Sequence, residues 1–359
     1  MQEDFSSRTT AEAAAGAEPD EGAEPDEGAA PGEGATPDEG AAREARAATQ
    51  EPPAVFSVNL DFLRPFLDPF ARFVEDAAEA DFALAMNAAG RPEGDARRLA
   101  DARAAGRPVA WWSIEDPNSF ETFLPQAAEA DFVFTTDDAC VERYRRRLGH
   151  ERVAWLPLAC SPESHRPLPL EEGATDFVVS ANWYSNEARL WAVETVVDPL
   201  VAAGYSLTLF CYEGWPMWPG RYRRFWRGAA SYLSTAEQYR AGRVVLGLNN
   251  QRSGMDGHDV TYMTSMRTFE APACGKPLLA SHSDAYERLG FSNGVHMAWS
   301  SDTRETLRRA EQLLGPGGDE VARAGREFVL ANHTYAHRLR RIAEVVTGSG
   351  GGGGGAERC

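Results

Sequence analysis

From residue 54 onward the chain repeats one pattern: a short apolar run, a polar break, then a stretch with helical spacing. The runs AVFSVNL, DFALAMN, PVAWWSI, DFVFTTD and RVAWLPLA alternate with DPFARFVEDAAEA, ARRLADARAAG, SFETFLPQAAEA and DACVERYRRRLG. Apolar runs without a polar face suit strands covered on both sides, and their alternation with helices predicts a parallel sheet wrapped by helices. A Pro- and Glu-rich break, SPESHRPLPLEEGA, interrupts the pattern, which then restarts. DFVVSAN, SLTLFCY, RVVLGLN and KPLLAS read as strands. NEARLWAVETVVDPLVAAG, TAEQYRAG, SMRTFEAPACG, RETLRRAEQLLG and EVARAGREFVLANHTYAHRLRRIAEVV read as helices, and a Trp/Arg segment at 215–228 reads as irregular. The prediction is an α/β chain with two Rossmann-like units, 54–165 and 173–346, facing each other across a cleft. Ligands of such folds bind at the carboxyl ends of the strands.

The flanks read differently. Residues 1–53 carry AEPDEG, AEPDEG, AAPGEG and ATPDEG in succession, with 14 Asp/Glu against 3 Arg. Proline and glycine every six residues oppose helix and strand, and little is apolar, so this reads as a disordered acidic tail. The tail accounts for −11 of the net charge of −18. The ordered part is therefore mildly acidic, which argues against bulk attraction to nucleic acid or anionic membrane. Residues 347–359 read as a flexible glycine tract. Five scattered cysteines with no CxxC, no leader-like amino terminus and no long apolar run point to a reduced, cytoplasmic protein. The oligomeric state is left open.

Chemistry concentrates in RTFEAPACGKPLLAS, residues 267–281, which reads as a helix, a glycine stop and a strand. Arg267, Glu270, Ala271 and Cys274 share one helix face. Loop 250–262, NQRSGMDGHDVTY, precedes this helix at the carboxyl edge of the second sheet. A carboxylate there can accept two hydroxyl hydrogens, as a ribose diol requires, and helix-start N–H groups favour anions. The same spacing also serves a plain helix-end pair between Glu270 and Arg267. In the first unit, Glu115 and Asp116 follow a strand. They suit a base for an acceptor hydroxyl, an acceptor-positioning pair, or simply a turn and helix cap before Pro117. The aromatic–Arg segment 215–228 fits sugar stacking or packing against the core. His333 and His337 fit helix capping better than metal binding, and no metal site is expected.

RTFEAPACG, with HTYAHRL some fifty residues on, resembles the CgeB (YkvP-like) spore-maturation glycosyltransferase family. WWSIEDP, DFVFTTDDACVERYRRRLG with WLPLACSPESHRP, SANWYSNEARL and NNQRSG fall in matching order. The resemblance runs from about residue 80 to 346. It implies a metal-independent glycosyltransferase of GT-B fold, related to the group 1 transferases. A nucleotide-diphosphate sugar would bind the carboxyl-terminal unit as co-substrate, without a cofactor. It implies that Glu270 holds the donor ribose and that basic residues hold the diphosphate, Arg189 first and Arg267 next. Lys276, the single lysine of the chain, lies at the far end of the helix from the expected phosphates. Related transferases often carry a second Glu eight residues before the first. Here that position is Tyr262, so the sugar contacts must differ. Thr268, Gly254, His258, Tyr262 and Asn182 complete the expected donor set; Glu115, Asp116 and Arg189 are the catalytic candidates. Two other readings stay open: a catalytically silent nucleotide-sugar-binding or scaffold protein, since no glycine-rich acceptor loop follows the first strand, and a nucleotide-sugar epimerase.

Overall fold

The computed structural model describes residues 51–60, 63–86, 93–211 and 218–348. The acidic repeat, the glycine tract with Cys359, and residues 212–217 of the Trp/Arg segment lie outside the described residues.

Ala54–Asn59 forms β1, followed by α1 (Arg64–Leu67), β2 (Arg72–Val74), β3 (Phe82–Met86) and α2 (Glu93–Ala104). Then come β4 (Val109–Ser113), α3 (Phe120–Ala127), β5 (Phe132–Thr135), α4 (Ala139–Leu148) and β6 (Val153–Trp155). The six strands lie in the order β2-β1-β3-β4-β5-β6, all pairs parallel. Every residue of β3 and β4 is buried, the signature of a sheet covered on both faces.

The second half repeats the plan. β7 (Thr175–Ser180) leads into α5 (Glu187–Ala192), which runs through a π-helical stretch into α6 (Asp198–Ala202). Next are β8 (Leu207–Cys211), β9 (Trp226–Ala229), α7 (Thr235–Tyr239), β10 (Gly242–Gly247), α8 (Arg267–Ala273), β11 (Leu278–Ser281), α9 (Ala285–Arg288) and β12 (Ala298–Ser300). α10 (Thr303–Leu314), α11 (Gly317–Asn332) and α12 (Tyr335–Gly348) close the described chain. The sheet order is β12-β11-β10-β7-β8-β9, again all parallel. β10 approaches β7 so closely that a Cβ at Gly242 would stand 2.7 Å from Val178 Cβ. Gly275, at φ +67°, stops α8 and lets the chain turn into β11.

Two expectations are corrected. The stretch DPFARFVEDAAEA, read as a helix, holds only 3₁₀ turns at Asp68–Phe70 and Ala77–Glu79 around strand β2. Its apolar spacing is compatible with a helix, but pairing Arg72–Val74 with β1 satisfies the backbone along an otherwise open sheet edge. The irregular Trp/Arg segment likewise contains a strand, β9, paired to β8.

The lobes meet on two sides. The linker after β6 is stapled to the carboxyl-terminal segment: Cys160 N donates to His333 O at 3.0 Å and Tyr335 N to Cys160 O at 2.9 Å. The buried Arg338 donates to Pro157 O and Leu158 O. α12 then returns to pack on α1 of the first lobe, and one buried cluster runs from Leu63 and Phe66 to Phe269, Tyr335 and Leu339. On the other side, Asp137 after β5 accepts from Thr261 Oγ1 at 2.7 Å and Tyr262 N at 2.8 Å. Arg288 bonds Asp138 and covers the Tyr262 ring at 4.6 Å.

Candidate functional site

Between these two contacts lies a cavity of about 570 Å³, within the size range of small-molecule sites. Its walls come from segments that follow the carboxyl ends of β4, β6, β7, β9 and β10, which is where a doubly wound sheet presents its loops. Glu115, Asn118 and Ser119 represent the first lobe. Asn182, Tyr184, Asn186, Arg189, Gln251, Arg267 and Glu270 are among the groups from the second.

Glu270 is the polar centre of the second-lobe wall. It lies in the first turn of α8 and is 3% exposed. Tyr239 OH donates to its Oε2 at 3.3 Å. His165 Nε2 stands 3.5 Å from Oε1, and Oε1 has no hydrogen-bond partner among the described residues. Burial pushes the carboxyl up to about 7, against the pull of the Arg267 guanidinium and the Tyr239 hydroxyl. A buried carboxylate with an unsatisfied oxygen costs stability.

Two guanidinium groups share that wall. Arg189, from α5, donates Nη1–H to Asn182 O at 2.9 Å and lies 5.1 Å over the Tyr184 ring. Its Nε has no partner among the described residues. Burial and the neighbouring charge of Arg267 lower it to about 9. Arg267 bonds Ser180 O at the end of β7. Two like charges held together at a cavity attract an anion with more than one negative oxygen.

The loop before α8 is tied to both lobes. Asp256 accepts from Glu187 N at 2.9 Å and Ala188 N at 3.0 Å, capping the helix that carries Arg189. His258 Nε2 lies 2.9 Å from Asn118 Oδ1 across the cleft.

The structure thus brings Glu115, Asn182, Arg189, Arg267 and Glu270 to one cavity and places the other sequence candidates elsewhere. Asp116 faces the interior of the first lobe. It is fully buried, accepts from Thr135 Oγ1 at 2.6 Å and Tyr144 OH at 3.3 Å, and burial pushes it up to about 6. Neighbours on a chain point different ways, and of this pair Glu115 lines the cavity. Thr268 is buried with its hydroxyl 2.6 Å from that of Thr264. Tyr262 serves the lobe contact through its backbone and Arg288. Gly254 shapes the loop at φ +77°, and His258 meets the cavity only through Asn118. Lys276 is buried at the opposite end of α8, bonded to Gly242 O at 3.1 Å. In the described part of 215–228, Trp218 and Tyr222 are buried against Trp183, so these rings are packing. His337 accepts from Thr334 and His333 bonds Leu289 O and Arg338, all structural contacts.

Sequence reasoning passed over Asn118, Ser119, Tyr184, Ser185, Asn186, Gln251 and His165. Polar residues directly after strands, as in SANWYSN, were the available signal. Nothing local marks His165, whose partner lies 105 residues away.

Residues 189–344 match the family model described as glycosyl transferase-like. Among solved structures, Anabaena Alr3699/HepE in complex with UDP and glucose is 12% identical. The match covers 83% of this chain and 100% of that one, with a TM-score of 0.52. A glycosyltransferase from Rickettsia africae is 12% identical, with 83% and 90% covered and a TM-score of 0.51. No curated protein matches in sequence. At this identity the likeness establishes the fold: two Rossmann-like lobes of GT-B type.

Proposed function

We propose that the protein is a glycosyltransferase of the CgeB-like branch that moves a sugar from a nucleotide-diphosphate donor to an acceptor hydroxyl. One observation carries the reading: a buried carboxylate, Glu270, shares a cavity wall with the two guanidinium groups of Arg189 and Arg267. These are the groups that a nucleotide sugar calls for. Glu270 accepts the ribose hydroxyls. Arg189 and Arg267 hold the diphosphate, where negative charge grows as the glycosidic bond breaks, so they stabilise the transition state more than the ground state. Glu115, on the facing wall, takes the acceptor proton in an inverting transfer and positions the acceptor in a retaining one. Asn118 and Ser119 position the acceptor beside it.

UDP is the first nucleotide to test, because the similar Anabaena structure carries UDP and glucose. The experiment incubates the protein with UDP-, GDP-, ADP- and dTDP-sugars and a panel of hydroxyl acceptors, with products read by mass spectrometry. A glycosylated acceptor together with released nucleoside diphosphate is the expected result. Tight nucleotide-sugar binding without transfer or hydrolysis would favour a silent binder instead. Interconversion of the donor sugar without an acceptor would favour an epimerase.

A further inference from the structure

The linker between the lobes carries a buried histidine that the proposed chemistry leaves unused. His165 is 1% exposed and is held from two sides. Ser161 N donates to its Nδ1 at 3.0 Å. Phe66 of the first lobe stacks on the ring, with centroids 5.2 Å apart and an interplanar angle of 28°. Burial lowers the imidazole to about 4, so the ring is neutral at physiological pH. Because Nδ1 accepts, the ring proton sits on Nε2. That nitrogen stands 3.5 Å from Glu270 Oε1, and neither atom has a hydrogen-bond partner among the described residues. Two buried, unsatisfied and complementary atoms thus face each other just outside hydrogen-bond contact.

We propose that His165 is a positioning residue for donor recognition: its Nε2–H holds the Oε1 side of Glu270 and keeps the carboxylate ionised and aimed at the ribose diol. The inference rests on the reading of the cavity as a nucleotide-sugar site. A small side-chain adjustment closes the contact when the ligand hydroxyls draw the carboxylate charge forward. The other groups bearing on Glu270 are Arg267 and Cys274 of the α8 segment, Tyr239 of α7, Tyr335 of α12 and Cys160 of the linker. Burial raises both thiols and the Tyr335 phenol, which stay neutral near pH 7. The ionised state of Glu270 is therefore supported by Arg267, Tyr239 and His165. The linker position also ties the donor grip to the first lobe, through the stack on Phe66.

The test measures donor affinity from pH 6 to 8.5 by calorimetry. The probe is the tightest binder among UDP-, GDP-, ADP- and dTDP-glucose, whose diphosphate diesters do not titrate in this range. Affinity of the wild type should climb with pH as Glu270 ionises. His165→Phe keeps the stack on Phe66 but removes the N–H; His165→Asn keeps an acceptor for Ser161 N but does not reach Glu270. Both should move the midpoint up by about one pH unit, lowering affinity roughly fivefold at pH 7. His165→Gln, which places an amide N–H where Nε2–H stood, should restore both quantities. Pyrophosphate affinity at any one pH should be the same in wild type and His165 variants, and in a Glu270→Gln background His165→Phe should cost nothing further. An unmoved midpoint in the Phe and Asn variants, or an undiminished loss in the Glu270→Gln background, would overturn the assignment while leaving the donor site intact. A wild type that binds no member of the panel would overturn the donor site itself, and this inference with it.

Discussion

Replacing Glu270 by glutamine should stabilise the protein and weaken its ligand binding. The side chain is buried, one oxygen is unsatisfied among the described residues, and burial raises its carboxyl from an ordinary 4.5 to about 7. A carboxyl raised in the fold binds its proton more tightly there than in the unfolded chain. Stability is therefore full below the unfolded value and falls as pH rises from about 4.5 through about 7. At about 1.4 kcal/mol per unit, the ionised group costs about 3 kcal/mol above pH 8. Glutamine keeps the shape and a hydrogen bond to Tyr239 without the charge. Urea denaturation of wild type and Glu270→Gln, run from pH 4.5 to 8.5, should give similar curves at the acid end and a gap of about 3 kcal/mol at the alkaline end. Nucleotide-sugar affinity, measured on the same samples at pH 8, should fall at least tenfold, because glutamine cannot accept from two hydroxyls as a carboxylate does. A constant gap across the pH range would refute the reasoning, since it would mean that the carboxylate is solvated or paired rather than held in reserve for a ligand.

Other outcomes follow from the same geometry. Arg189→Ala should lower turnover about 100-fold or more and abolish pyrophosphate binding while sparing the free nucleoside; calorimetry with both ligands checks it. Glu115→Gln should lower turnover with donor affinity unchanged, whereas Asp116→Asn, inside the first lobe, should keep turnover within about threefold; steady-state kinetics distinguish these, and equal losses would reassign the base. Asp137→Ala removes the acceptor of Thr261 Oγ1 and Tyr262 N and should cost about 2–4 kcal/mol, with amide exchange at 261–262 accelerated.

The readings that failed share a cause. β2 and β9 are strands of three and four residues, and both sit at sheet edges. An edge strand is defined by its pairing with a neighbour more than by its own composition, so RFV and WRGA carry no local mark of what they become. Site residues divide in the same way. That Glu270, Arg267 and Arg189 would share one cavity was legible because they lie in helical turns next to strand ends. Glu115 and Asp116 were equivalent on the chain. The turn after β4 sends Glu115 to the cavity and Asp116 against Thr135 and Tyr144.

The apolar runs and their spacing were enough to determine two parallel sheets, because periodicity and burial are local properties of the chain. Only the tertiary structure decided which polar groups meet. His165 and Glu270 are brought together by the linker wrapping against α8, and Asp137 and Thr261 by the docking of a loop on the opposite lobe. Lys276, singular in the sequence, proved to be a buried tie to Gly242 O. Contacts between distant segments depend on how two cores pack, and that depends on the shape of both surfaces at once.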